Sequence, residues 1–150
     1  MYSGTYYHSI EAKGRIAVPA KFREKLGQNP VLTRGLDGCL FLYSQQTWKA
    51  FIKTLEDSSV TKKTHRDFIR LMTNEAVELE LDAQGRMLLP EALQQQANLT
   101  KNVVFAGSLD HIELWDRETY HSYMTGLEKN AETIAEHYDT QLPGKQGMHA

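Results

Sequence analysis

The sequence predicts an α+β fold made from two tandem copies of one unit, and three observations predict it. First, Glu11-Ala-Lys-Gly-Arg-Ile-Ala-Val-Pro19 returns as Asp82-Ala-Gln-Gly-Arg-Met-Leu-Leu-Pro90, keeping the order acid, two residues, glycine, arginine, three apolar residues, proline. Second, Val31-Leu-Thr-Arg-Gly35 and Leu40-Phe-Leu-Tyr43 are echoed by Val103-Val-Phe-Ala-Gly107 and Ile112-Glu-Leu-Trp115. Third, the offset is 71 residues at the loop (82 minus 11) and 72 at the later strands (103 minus 31), so the copies stay in step apart from one gained residue.

Taken in order, Thr5 to Ile10 mixes β-branched and aromatic residues and reads as a strand. Lys13-Gly14 makes the turn that follows, with glycine free to take positive φ. Arg15 to Val18 is a second strand running into Pro19, which suits the start of a short helix ending at Leu26, closed by Gly27. Val31 to Thr33 and Leu40 to Tyr43 are strands joined through Gly35-Leu-Asp-Gly38. Trp48, Phe51, Ile52 and Leu55 then recur at helical spacing, and Thr61 to Met72 is an amphipathic helix whose polar side carries Lys62, Lys63, Arg66 and Arg70.

The second copy repeats this order. Ala76 to Leu81 is expected as strand, Asp82 to Arg86 as loop, Met87 to Leu89 as strand, Pro90 to Ala97 as helix, and Val103 to Ala106 and Ile112 to Trp115 as strands. A single last helix is expected from Asp116, a plausible N-cap, and the turn-rich tail from Gln141 to Ala150 is expected to fray. No Gly/Ser/Pro-rich linker divides the halves, which implies fusion through the central helices. The expected division is a first repeat at 5–52, connecting helices at 53–75, a second repeat at 76–122, and a C-terminal helix and tail at 123–150.

With 41% hydrophobic and 24% charged residues the composition is that of a soluble globular protein. No apolar run approaches the roughly 18 residues of a membrane span, and the N-terminus lacks the basic and apolar regions of a signal peptide, so a cytoplasmic location is expected. Cys39 is the only cysteine, which excludes an internal disulfide and a thiolate zinc cage. The net charge of −2 argues against nucleic acid, but its distribution argues the other way. Lys13, Arg15, Lys21, Arg23, Lys25 and Arg34 against Glu11 and Glu24 give a local +4 between Ile10 and Arg34. The second copy is neutral over 82–106, and the segment from Asp116 to Asp139 sums to −4.

The repeated loop is where chemistry concentrates. A turn presenting Lys13, Gly14 and Arg15 brings two cations and backbone N–H groups forward together, as a phosphate backbone or a guanine edge requires. Glu11, four residues before Arg15, is expected to orient that guanidinium. Catalysis is disfavoured. The histidines show no ligand spacing, no nucleophile elbow or phosphate-binding loop occurs, and Glu11 and Asp82 each have a cation four residues on that favours the ionised form over a general acid.

On those residues, from the opening Met-Tyr-Ser-Gly-Thr-Tyr through both loops and the Gly35 to Tyr43 segment, the chain resembles the MraZ family of bacterial transcriptional regulators. The resemblance implies two AbrB-like swapped-hairpin repeats interlocked as an intramolecular pseudo-dimer with a β-barrel-like core and flanking helices. It implies subunits assembled into a ring and binding to direct repeats of double-stranded DNA in the promoter of the division and cell wall gene cluster, with a nucleoid association. It implies no cofactor, no metal, no small-molecule substrate and no enzymatic activity. Carried over, the DNA-binding positions are Lys13, Gly14, Arg15 and Arg86, supported by Glu11, Asp82 and Gly85. Two departures stand out: Glu11 stands where the family's Asp-x-x-x-Arg motif has aspartate, and Gln84 stands where the first copy has Lys13, leaving Arg86 the less secure contact. The competing reading is a protein-interaction module, like antitoxin relatives of the fold, gripping a partner through its acidic half.

Overall fold

In the computed structural model, which describes residues 1–141, the elements run β1 (Thr5–Ser9), a 3-10 turn (Ala12–Gly14), β2 (Arg15–Ala17), α1 (Ala20–Leu26), β3 (Val31–Arg34), β4 (Leu40–Tyr43), α2 (Gln45–Glu56), α3 (Lys63–Thr73), β5 (Val77–Glu78), β6 (Arg86–Leu88), α4 (Glu91–Gln96), β7 (Asn102–Ser108), β8 (His111–Asp116), α5 (Arg117–Lys129) and α6 (Ala131–Gln141). The tail expected to fray lies outside the described residues beyond Gln141, which ends α6. Two compact units divide the chain after Arg117, and the first contains both copies of the loop.

Strand order in the main sheet is β1-β7-β8-β4-β3-β5, antiparallel throughout, and β2 pairs with β6 as a separate ribbon. The order reads the same from either end if each strand is exchanged for its copy. At the centre, Phe41 lies opposite Glu113, its own counterpart 72 residues on (113 minus 41). At the edges, β1 of the first copy lies beside β7 of the second, and β5 of the second beside β3 of the first. The sheet is therefore open rather than barrel-like. β5 has only two ladder residues, and past it single bonds, Leu79 N–H to Pro30 O and Leu81 N–H to Gln28 O, replace a continuing strand, so no edge remains long enough to close on β1.

Alternation explains what each strand buries. Leu40 and Leu42 face Ile112 and Leu114 in the interior, all fully buried, with Ile16 and Met87 of the ribbon in the same core. The reverse side of β4 is covered by the apolar stripe of α2, where the Tyr43 ring stacks on Phe51 at 5.5 Å and meets Trp48 at 5.4 Å. Ser44 caps α2 by accepting from Thr47 N–H at 3.1 Å. Thr33, buried on β3, donates its hydroxyl to Met72 O at 2.7 Å, tying the end of α3 to the sheet. The proline-led starts of α1 and α4 are equivalent, with Pro19 O accepting from Phe22 and Arg23 and Pro90 O from Leu93 and Gln94.

The single last helix is two. Asn130 separates α5 from α6, and its side-chain amide donates to Gly126 O at 3.0 Å, a local bond of the kind by which asparagine competes with the helix ladder. The helix does start where expected, α5 beginning directly after Asp116; that residue also ends β8, and its Oδ1 accepts from Thr100 N at 3.1 Å and Thr100 Oγ1 at 2.6 Å. Among the described residues no helix is long and apolar enough to cross a membrane.

Candidate nucleic-acid interface

Both repeated loops close the same way. Glu11 N–H donates to Arg15 O at 2.7 Å and Asp82 N–H to Arg86 O at 2.9 Å; Gly14 N–H donates to Glu11 O at 3.1 Å and Gly85 N–H to Asp82 O at 2.9 Å. The ribbon then joins one copy to the other, Arg15 opposite Leu88, Ile16 opposite Met87 and Ala17 opposite Arg86. It is extended by Val18 N–H to Gly85 O and Leu89 N–H to Gly14 O, each 2.9 Å. Each loop thus leans on the strand and helix of the other copy.

The two glycines are explained twice over. Gly14 and Gly85 have φ of +80° and +75°, which favours glycine, and both lie beneath a residue from the helix of the opposite copy. A methyl added at Gly85 would sit 2.5 Å from the Arg23 guanidinium carbon, and one at Gly14 3.3 Å from the Gln94 amide nitrogen. Arg23 and Gln94 are themselves equivalent positions doing one job: Arg23 donates to Val18 O at 3.0 and 3.2 Å, Gln94 to Leu89 O at 2.9 Å. In the sequence Arg23 reads only as one more cation of the basic stretch, and Gln94 carries no charge that marks it. The 71-residue offset (94 minus 23) was the signal that linked them.

Side chains break the symmetry. Asp82 Oδ1 accepts from Gln84 N–H and Arg86 N–H, both at 2.9 Å, while its Oδ2 holds Arg86 Nε at 2.9 Å. Those bonds, led by the Arg86 backbone N–H, keep the Asp82 carboxyl below its ordinary range, and the Asp82 contact raises that of Arg86. Glu11, one methylene longer, makes no bond to its own turn and instead reaches Arg86 Nη1 at 3.2 Å. The expected Glu11 to Arg15 pairing is therefore corrected: its reach takes Glu11 across the ribbon, where the opposite copy's guanidinium is nearer.

Arg15 consequently has no side-chain hydrogen bond or ion pair among the described residues, and neither has Lys13, which is exposed at the tip. Lys13 is held at φ 71°, ψ 11°, a left-handed conformation that costs a non-glycine residue about 1 kcal/mol. Gln84 in the second loop is not so strained. Three other members of the basic stretch are occupied, Arg23 as above, Arg34 by Glu75 at 3.5 Å and by Gln96, and Lys25 by Met1 O at 3.0 Å, while Lys21 on α1 is exposed with no side-chain partner among the described residues. On α3, Asp67 takes Lys63 at 2.6 Å and Arg70 at 2.9 Å, so that helix face is partly self-neutralised.

Fold and site together define a class, a duplicated α+β chain that mounts two arginine-bearing turns on one ribbon, one turn open and one closed by acids. The model of the family described as "MraZ protein, putative antitoxin-like" matches residues 1–71 and again residues 72–141. The chain is 45% identical over 139 residues to a transcriptional regulator MraZ of Thermoanaerobacter sp. (strain X514), covering 93% of this chain and 97% of that one. A regulator of the same name from Ligilactobacillus salivarius (strain UCC118) is 43% identical over 136 residues, 91% of this chain and 95% of that one. This chain belongs to the MraZ family.

Proposed function

We propose that the chain is a sequence-specific double-stranded DNA-binding transcriptional regulator, and that it meets DNA with the first loop, through Lys13, Gly14 and Arg15. The observation that carries this is that Lys13 and Arg15, at a turn with left-handed backbone, have no side-chain partner among the described residues, supported by relatives named as transcriptional regulators. Arg86 contributes less until DNA displaces it from Glu11 and Asp82. The strand pairing between copies supports the AbrB-like swapped-hairpin reading, with repeats at 5–52 and 76–122, connecting helices at 53–75 and a C-terminal segment from 123 onward.

One loop neutralises too few phosphates to hold duplex DNA at cellular salt, because each contact contributes a salt-sensitive increment. A ring of subunits raises the effective concentration of every further loop and suits direct repeats about one helical turn, roughly 10 bp, apart. We place its target in the promoter of the division and cell wall gene cluster, and the protein on the nucleoid in the cytoplasm. Gel shift with one-repeat and three-repeat duplexes tests this: affinity rises steeply with repeat number, and equal affinities refute the array.

The second reading, a protein-interaction module, is favoured by the −4 balance from Asp116 to Asp139 and by the family description "antitoxin-like". Unchanged DNA binding by Arg15→Ala would support it.

A further inference from the structure

Opposite Arg15 across the ribbon stands Leu88, an aliphatic side chain left 53% exposed. Ile16 and Met87 between them are fully buried, so alternation puts Arg15, Ala17, Arg86 and Leu88 on one outward face. A solitary exposed leucine is commonplace on proteins. What marks this one is its place: its Cδ1 would lie 3.6 Å from a methyl built on Gly14, so it forms an apolar wall against the open cationic turn. The equivalent wall in the other copy is only Ala17, next to the arginine that Glu11 and Asp82 occupy.

We propose that Leu88 is a specificity-determining residue that packs on the 5-methyl group of a thymine while Lys13 and Arg15 engage the adjacent backbone or guanine. The inference rests on the DNA-binding reading above. The major groove, about 12 Å wide, admits a two-stranded ribbon, and among the four base edges displayed there thymine alone offers a methyl. Leucine has no donor or acceptor, so apolar contact is the one gain it makes on a base edge. Charge complementarity brings the face to DNA, and Leu88 adds discrimination the cations lack.

The test selects duplexes from a random-sequence 30-base-pair library with the full chain, then resynthesises the winner with deoxyuridine replacing thymine one position at a time. Deoxyuridine lacks only the methyl. At one or more positions near the arginine contact, wild type loses about four-fold in affinity, the equivalent of about 0.8 kcal/mol for one buried methyl-sized group. Leu88→Ala binds the thymine and deoxyuridine duplexes equally, with the same mass by light scattering and an unchanged salt slope. If no thymine matters to wild type, or if Leu88→Ala keeps the full loss, the inference is overturned while the DNA reading stands. A changed mass assigns Leu88 to a contact between subunits and also overturns it. Failure to select any duplex overturns both.

Discussion

The Glu11 carboxylate sits 3.2 Å from the Arg86 guanidinium, 75 positions later, and Arg86 is at the same time 2.9 Å from Asp82 in its own turn. One copy therefore lends an acid to the arginine of the other, and the arginine beside that acid in sequence is left open. The two turns share their closing hydrogen bonds but differ in backbone at Lys13 and Gln84, and one keeps its cations open while the other is neutralised by acids.

Glu11→Gln is expected to tighten DNA binding several-fold at low salt, because it removes a negative charge from the face and loosens Arg86. Folding stability should move by under about 1 kcal/mol, the range of exposed ion pairs. Fluorescence anisotropy across a salt series and a urea melt check the two halves of this prediction.

Arg15→Ala is expected to lower DNA affinity by about ten-fold or more and to reduce the salt slope by about one, while leaving the thermal midpoint unchanged. Among the described residues the Arg15 side chain has no hydrogen-bond or ion-pair partner to lose. Arg86→Ala should instead destabilise the protein, because Asp82 and Glu11 are left facing each other.

Met87→Ala is expected to cost about 2–5 kcal/mol, since Met87 is fully buried opposite Ile16 at the centre of the ribbon and its removal leaves a cavity. Denaturant unfolding measures it, and a loss below 1 kcal/mol would show that the ribbon is not part of the core.

Gly85→Ala is expected to destabilise by roughly 1–3 kcal/mol: φ is +75° there, and the new methyl displaces the Arg23 side chain from Val18 O. An Arg23→Ala background removes the clash but not the backbone strain. The double variant should accordingly show a smaller added loss in a thermodynamic cycle.

Asp82 and Asp67 both have carboxyls held below their ordinary value of 3.8 in the folded chain, Asp82 chiefly by the Arg86 backbone N–H and Asp67 chiefly by Lys63. A depressed folded value means the stabilisation is present above the unfolded value and is lost as pH falls through the folded one. Thermal midpoints should drop as pH falls below about 4, and Asp82→Asn should show a shallower drop. An identical pH profile for the variant would rule Asp82 out as a contributor.

Much of the chain was legible locally. The proline-led helices after each loop, most of the β-branched and alternating strands, and the stripe of Trp48 and Phe51 depend on neighbours within a few residues and appear where periodicity puts them, whereas the strand expected over Ala76 to Leu81 is cut to Val77–Glu78, an edge whose backbone past that point makes only single bonds to Pro30 and Gln28. Less legible were the break at Asn130, a side-chain bond inside an otherwise helical pattern, and the role of Thr33, whose partner Met72 is 39 positions away. Arg34 shows the same limit, because nothing near it in sequence announces Glu75 and Gln96.

The sequence by itself determined the duplication, the order of elements, and the two turns with their acid, glycine and arginine, since these rest on backbone preference and short-range pattern. Only the tertiary structure decided which copy's groups meet: Glu11 with Arg86 rather than Arg15, Arg23 over Gly85, Gln94 over Gly14, and an open sheet. The reason is physical. Two copies of one pattern offer each group a partner at home and a corresponding one across the ribbon. The choice depends on side-chain reach and on how the strands cross, distances that exist only once the chain has folded.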